Sequence, residues 1–247
     1  MKYLITEFTG LGNFITKTPM ISAIHNTDNN AKVYILGDNR WQGLDVVRGS
    51  KLIDQIFTIK SNTNKNNFIK WINNEKFDVV FQSFDSYPPK WVEYTLSYKS
   101  NCKKIYKGIY PMDINPSIQF KLKNWLRNLS LYRFKPQPRN LFYVPHIKGR
   151  NYLDHNLDLL EEFIGKSLDR NYNSWVSVRN NKAVLKRFNL NPHKYICLQV
   201  SAANGAPTPK TWAPKNFISL IHETHKIYPD YKIVIIGLLY YSLFSTA

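Results

Sequence analysis

The chain is 247 residues long and 43% apolar, with 14 Phe, 16 Tyr and 6 Trp, which is enough for a buried core and excludes a disordered chain. Two cysteines, Cys102 and Cys197, exclude a disulfide framework or a zinc site made by cysteine alone, and no run reaches the ~18 apolar residues of a membrane-spanning helix. Thirty-four Lys and Arg against 17 Asp and Glu give a formal charge of +17, which favours anionic partners: nucleic acid, anionic lipid or a phosphorylated substrate.

Lys2 to Thr6 predicts a short strand ending at Glu7. This opening does not read as a secretory signal, so a reducing cytosol is the expected compartment. Thr9-Gly10-Leu11-Gly12-Asn13 is a glycine-rich turn, and a helix is expected from about Phe14 to Ile24. Strands follow at Lys32 to Leu36, Gln55 to Ile59 and Phe77 to Phe81, with a helix at Asn67 to Asn73 carrying Phe68, Ile69 and Ile72 at helical spacing. Strands alternating with helices predict an α/β chain with a parallel sheet covered on both faces. Ligands in such sheets sit at the carboxyl ends of strands. That directs attention to Glu7 through Asn13, Gly37 through Arg40, and Gln82 through Pro89.

Pro136, Pro138 and Pro145 break the middle of the chain, and Leu153 to Ile164 predicts an amphipathic helix. Asn180 to Phe188 reads as helical. The βα rhythm then restarts with a strand at Tyr195 to Val200, a small-residue loop at Ser201 to Ala213, a helix at Pro214 to Ile227 and a strand at Lys232 to Gly237. A second Rossmann-like domain is therefore expected to begin near residue 180 and to obtain only two strands, so that either another element supports it or the chain is cut short. The uncharged tail from Leu238 to Ala247 is β-prone, as an edge strand pairing with another chain or as a frameshifted end.

The charge is uneven. Lys99 to Arg150 holds twelve cations and one acid, Asp113, a net +11. Inside it Ile118, Leu122, Trp125, Leu126 and Leu129 fall at helical spacing, with Lys121, Lys123 and Arg127 off the stripe. This fits an ordinary surface helix, or one resting on an anionic membrane surface or gripping an anionic glycolipid. No nucleic-acid recognition motif is present, so nucleic acid is not an expected partner.

Three segments in order resemble the heptosyltransferases of glycosyltransferase family 9. They are Gly10 through Pro19 followed by Ala31-Lys32-Val33; Asp154-His155-Asn156-Leu157-Asp158-Leu159-Leu160; and Tyr195 through Ala202 followed by Lys210-Thr211-Trp212 and Val234 through Gly237. The resemblance implies two Rossmann-like domains of the B-type glycosyltransferase architecture, the second incomplete: an acceptor domain over 1–179 and the start of a nucleotide-sugar domain over 180–247. It implies a donor such as ADP-heptose and an anionic glycolipid or glycan acceptor such as the lipopolysaccharide core. It also implies peripheral contact with the inner face of the anionic cytoplasmic membrane, and neither cofactor nor metal.

The implied reaction is an inverting displacement in which a base takes the acceptor hydroxyl's proton and dipoles and a Lys stabilise the departing diphosphate. Lys210 matches the family's diphosphate-contacting Lys, with Ser201 and Ala202 lining the same pocket, whereas Trp212 reads as a packing residue. Gly10, Gly12, Lys121 and Arg127 are the expected acceptor contacts. Two departures bear on activity. The family's base is the Asp of Gly-x-Gly-Asp, and Asn13 stands there; a carboxamide does not accept a proton near neutral pH but can orient an acceptor. Another carboxylate is then needed: Glu7 is the first choice, with Asp38 and Asp85 at other strand ends. His25 and His155 read as structural. The family's Asp-x-Gly-x-x-His segment has no counterpart, so the donor site is expected to be half present and this chain alone to transfer little or nothing. The alternative is a non-catalytic glycolipid- or glycan-binding module.

Overall fold

The structure, a computed structural model, describes residues 1–38, 43–109, 138–146, 149–177, 182–200 and 212–236. The chain divides into two compact units, Met1–Val178 and Arg179–Ala247.

The first unit runs β1 (Lys2–Glu7), α1 (Leu11–Ile15), α2 (Thr18–Thr27), β2 (Lys32–Gly37), a 3-10 turn (Gly43–Val46), β3 (Gln55–Thr58), α3 (Lys65–Glu75), β4 (Val79–Gln82), α4 (Lys90–Tyr98), β5 (Lys104–Ile109), β6 (Leu141–Pro145) and α5 (Tyr152–Ile164). Its six strands form one parallel sheet in the order β3-β2-β1-β4-β5-β6. Successive strand residues point to opposite faces, and both faces are apolar. Tyr3, Ile5, Val33, Ile35, Val79 and Phe81 pack with Phe14, Ile21, Ile24, Leu157 and Leu160 from the first two helices and α5. Leu4, Tyr34, Leu36 and Val80 pack with Phe68, Ile72, Val92 and Leu96 from α3 and α4. This two-sided burial explains why β1, β2 and β4 read as continuous apolar runs.

Where the sequence predicted one helix over Phe14 to Ile24, the structure has two. Pro19 stands in the first turn of α2 and has no N–H to give the carbonyl four residues back, so α1 cannot continue through it. The sequence reading also passed over α4, β5 and β6. β6 lies at the sheet edge and ends in Pro145, a position that tolerates a residue without a donor.

The second unit contains α6 (Lys182–Arg187), β7 (Tyr195–Gln199), α7 (Pro214–Ile227) and β8 (Lys232–Ile236), with β7 and β8 parallel from Tyr195↔Lys232 to Gln199↔Ile236. No described residue of this unit is buried.

Gly37 closes β2 where β1 passes it, and a Cβ there would lie 2.0 Å from the Glu7 carbonyl oxygen. Because that obstacle is backbone, Gly37→Ala is expected to lower the unfolding free energy by roughly 3 kcal/mol or more in urea titrations. Gly149→Ala is the reference: its left-handed φ of 88° carries strain but no clash, and about 1 kcal/mol is expected.

Candidate functional site

In a parallel sheet of order 3-2-1-4-5-6 the chain leaves β1 and β4 in opposite directions, which opens a crevice at their carboxyl ends. Two connections meet there, the turn after β1 (residues 8–10, leading into α1) and the turn after β4 (residues 83–86).

Between them lies a buried ion cluster. Lys17 donates through Nζ to Glu7 Oε2 and, at 3.4 Å each, to Asp85 Oδ1 and the Asn13 carbonyl oxygen. The Lys17 and Glu7 side chains are each 1% exposed and that of Asp85 is 8% exposed. The other Glu7 oxygen, Oε1, accepts from the Thr9 amide and hydroxyl. Thr6 Oγ1 meets Ser86 Oγ at 3.1 Å, and the Ser86 amide donates to the Ser83 carbonyl at 3.0 Å. Two buried atoms of this turn have no hydrogen-bond partner: Asp85 Oδ2 and Ser83 Oγ.

The residues singled out in sequence take the following places. Gly10 is the N-cap of α1 and Gly12 lies in its first turn; a Cβ on either would meet no described residue within 4 Å. Asn13 is half-buried, and its carbonyl accepts from Thr16 Oγ1 at 2.7 Å. Glu7 is buried and engaged as above, while Asp38 is buried at the end of β2. Ser201, Ala202, Lys210, Lys121 and Arg127 lie outside the described residues, as does the expected helix through Ile118 and Leu129. Trp212 is 54% exposed, with its ring edge-on to Phe217.

Lys17 was quoted in the sequence pattern without a role. The signal was available: Phe14, Lys17, Ile21 and Ile24 share one helical stripe, and a Lys on an apolar stripe calls for a buried acid.

Next to the crevice, His155 is 1% exposed and packs edge-on to Phe84 and His146. A Cβ on Gly108 would fall 2.1 Å from His155 Nε2, so glycine makes room for the ring. Neither ring nitrogen of His155 has a hydrogen-bond partner. Burial, with His146 nearby, pushes its pKa down to about 4, and burial also lowers that of His146. His25 is a structural link, its Nε2 2.9 Å from the Leu52 carbonyl.

Among the described residues of the basic stretch, Lys103 meets Asp78 at 2.6 Å, Arg150 meets Asp158 at 2.7 Å, and Lys107 meets Glu93. A cavity of about 450 Å³ lined by Met1, Tyr3, Thr27, Asp28, Phe163, Ile164 and Lys166 lies at the amino end of β1, away from the crevice. Among the described residues no helix is long and apolar enough to cross a membrane.

Neither a family model nor a curated protein sequence matches the chain. Solved structures do. A glycosyl transferase of family 9 from Veillonella parvula superposes with a TM-score of 0.67 at 16% identity, covering 96% of this chain and 62% of its own length. This chain shares their fold. Heptosyltransferase WaaC of E. coli with ADP gives a TM-score of 0.61 at 10% identity, over 98% of this chain and 69% of that one. E. coli ADP-heptose lps heptosyltransferase II gives 0.57 at 11%, over 96% and 64%. The chain thus spans about two thirds of the length of these neighbours.

Lys17→Met leaves the buried Glu7 without its cation and is expected to cost about 3–5 kcal/mol in urea titrations. Lys2→Met, at the partly exposed Lys2–Glu75 pair, is expected to cost under about 1 kcal/mol. For His155 the folded pKa lies below the unfolded value near 6.5, so between pH 6.5 and 4 the unfolded chain binds more protons. Stability is therefore full above pH 6.5 and falls as pH drops, by up to about 3 kcal/mol. Urea midpoints at pH 7.5, 5.5 and 4.5 should show the decline, and His155→Leu should flatten it.

Proposed function

We propose that this chain works as a glycosyltransferase of the heptosyltransferase type, moving a sugar from a nucleotide-activated donor to a glycan acceptor. One observation carries the reading: the likeness in fold runs through nearly all of this chain, 96% and 98% of it for the two neighbours with TM-scores of 0.67 and 0.61. The neighbour WaaC has been solved with ADP and with ADP-2-deoxy-2-fluoro heptose, so an ADP-sugar is the donor to try first.

In this reading the first unit holds the acceptor. The turn through Gly10 and Gly12 lets the sugar approach the backbone closely, and the Asn13 carboxamide orients a hydroxyl by hydrogen bonding. Lys121 and Arg127 supply positive charge toward an anionic acceptor such as the lipopolysaccharide core, and the wider basic stretch favours an anionic membrane surface. In the second unit Lys210, with Ser201 and Ala202, contacts the diphosphate, where negative charge grows as the glycosidic bond to the donor breaks. The displacement inverts the anomeric carbon and uses no metal.

A second reading, a glycan-binding module without catalysis, draws on a specific observation. Residue 13 is Asn, and Glu7 has both oxygens engaged by Lys17 and Thr9. Titration calorimetry of the full chain with ADP and with deacylated lipopolysaccharide inner-core oligosaccharide separates the two readings. Mass spectrometry of the chain incubated with ADP-heptose and that oligosaccharide adds the catalytic readout. The transferase reading expects binding of both ligands and ADP affinity reduced about tenfold in Lys210→Ala. Binding of the oligosaccharide alone, without product, transfers the case to the module; binding of neither sinks both.

A further inference from the structure

We infer that Asp85, in the turn after β4, receives the attacking hydroxyl of the acceptor sugar. This rests on the transferase reading above. Glu7 has one oxygen on Lys17 and the other on the Thr9 amide and hydroxyl, so both of its oxygens are already engaged. Asp85 uses only Oδ1, toward Lys17 at 3.4 Å, while Oδ2 has no hydrogen-bond partner although the residue is 5% exposed.

A buried carboxylate oxygen without a donor is costly, and native structures keep few of them without a reason. One ammonium facing two carboxyl groups sharpens this: Lys17 is shared, and its closer partner is Glu7. The neighbouring Ser83 Oγ is likewise buried without a partner. A carboxylate oxygen without a donor, beside a hydroxyl that can donate or accept, suits a small neutral group that does both. Among the groups of a sugar, that is a hydroxyl. A phosphate would add negative charge beside Glu7 and Asp85 and is disfavoured there.

The position fits the chemistry. Asp85, from the turn after β4, and the Asn13 backbone carbonyl, from α1, meet the same Lys17 ammonium, so the glycine turn that leads into α1 and the turn that carries Asp85 border one crevice. In the transfer, the acceptor oxygen forms the new bond to the anomeric carbon and its proton passes to Asp85 Oδ2. The bond from the anomeric carbon to the diphosphate breaks, and its electron pair leaves with the nucleoside diphosphate. A carboxylate can perform this proton acceptance where the Asn13 carboxamide cannot.

The test is calorimetric, on the full chain, with deacylated lipopolysaccharide inner-core oligosaccharide and its per-O-methylated counterpart as probes. Asp85→Asn keeps the side-chain shape, and a thermal melt verifies that it folds; Asp85→Ser is the second variant. Both are expected to bind the free oligosaccharide roughly 10- to 100-fold more weakly than wild type. Methylation is expected to weaken wild type more than either variant, because the lost hydroxyl no longer has its carboxylate. Wild type that binds while both variants bind equally well, or methylation that penalises all three alike, overturns the role of Asp85 and leaves the transferase reading standing. Wild type that binds no oligosaccharide overturns the reading itself, and this inference with it.

Discussion

The Lys17 ammonium is the group around which the carboxyl end of the sheet is arranged. Desolvating a lysine costs several kcal/mol unless an acid meets it, and Lys17 is fully buried. Its partners come from three places in the chain: Glu7 from the end of β1, Asp85 from the turn after β4, and the Asn13 carbonyl from α1. One charge thereby fixes two turns and a helix against each other. This is the degree of order that a site made of loops at a sheet edge needs, since loops on their own supply little rigidity. Lys17 sits at the junction of α1 and α2, where Pro19 has already interrupted the backbone ladder.

Distant parts of the first unit reinforce that junction. Asn156 on α5 donates to the Thr16 carbonyl at 3.1 Å, and Trp175 donates through Nε1 to the Thr18 carbonyl and Ser22 Oγ. The segment that carries Trp175 is itself held to α5 by Arg170, which pairs with Asp158 and Glu161. The residues after α5 are thus a strap over α2 rather than a free linker. Gly108 completes the arrangement from the sheet side, since only a residue without a Cβ lets His155 on α5 settle between Phe84 and His146.

How much of this was legible in the sequence depends on the range over which each signal acts. β1, β2, β3, β7, α5 and α7 were readable because their apolar patterns are local and continuous. β5 was not, because its lysines interrupt the run: Lys107 turns inward to Glu93, and Lys104 is exposed at the strand end. β6 ends in a proline that reads as a breaker and is tolerated only at a sheet edge. At the site, the glycine turn and the carboxylates at strand ends were visible because the topology places such residues at the crevice. Which carboxylate is occupied was not visible, because that depends on Lys17 meeting Glu7 and Asp85, ten and sixty-eight residues away. The net +11 of the basic stretch is likewise a property of sequence order. In space, Lys103, Lys107 and Arg150 meet Asp78, Glu93 and Asp158, from β4's approach, α4 and α5.

The crevice also shows why an acid need not stay at one position of a sheet. β1 and β4 are neighbours, in register from Tyr3↔Val79 to Ile5↔Phe81, so the connections that follow them border the same space. A carboxyl group supplied from either connection can reach a ligand lying between them. What cannot move is the counter-charge. A second acid in this crevice without a cation would leave an uncompensated buried charge, and Glu7 occupies Lys17 more closely than Asp85 does. At Lys17, Asn13 contributes only its neutral backbone carbonyl, so Glu7 and Asp85 are the two acids that share the single ammonium.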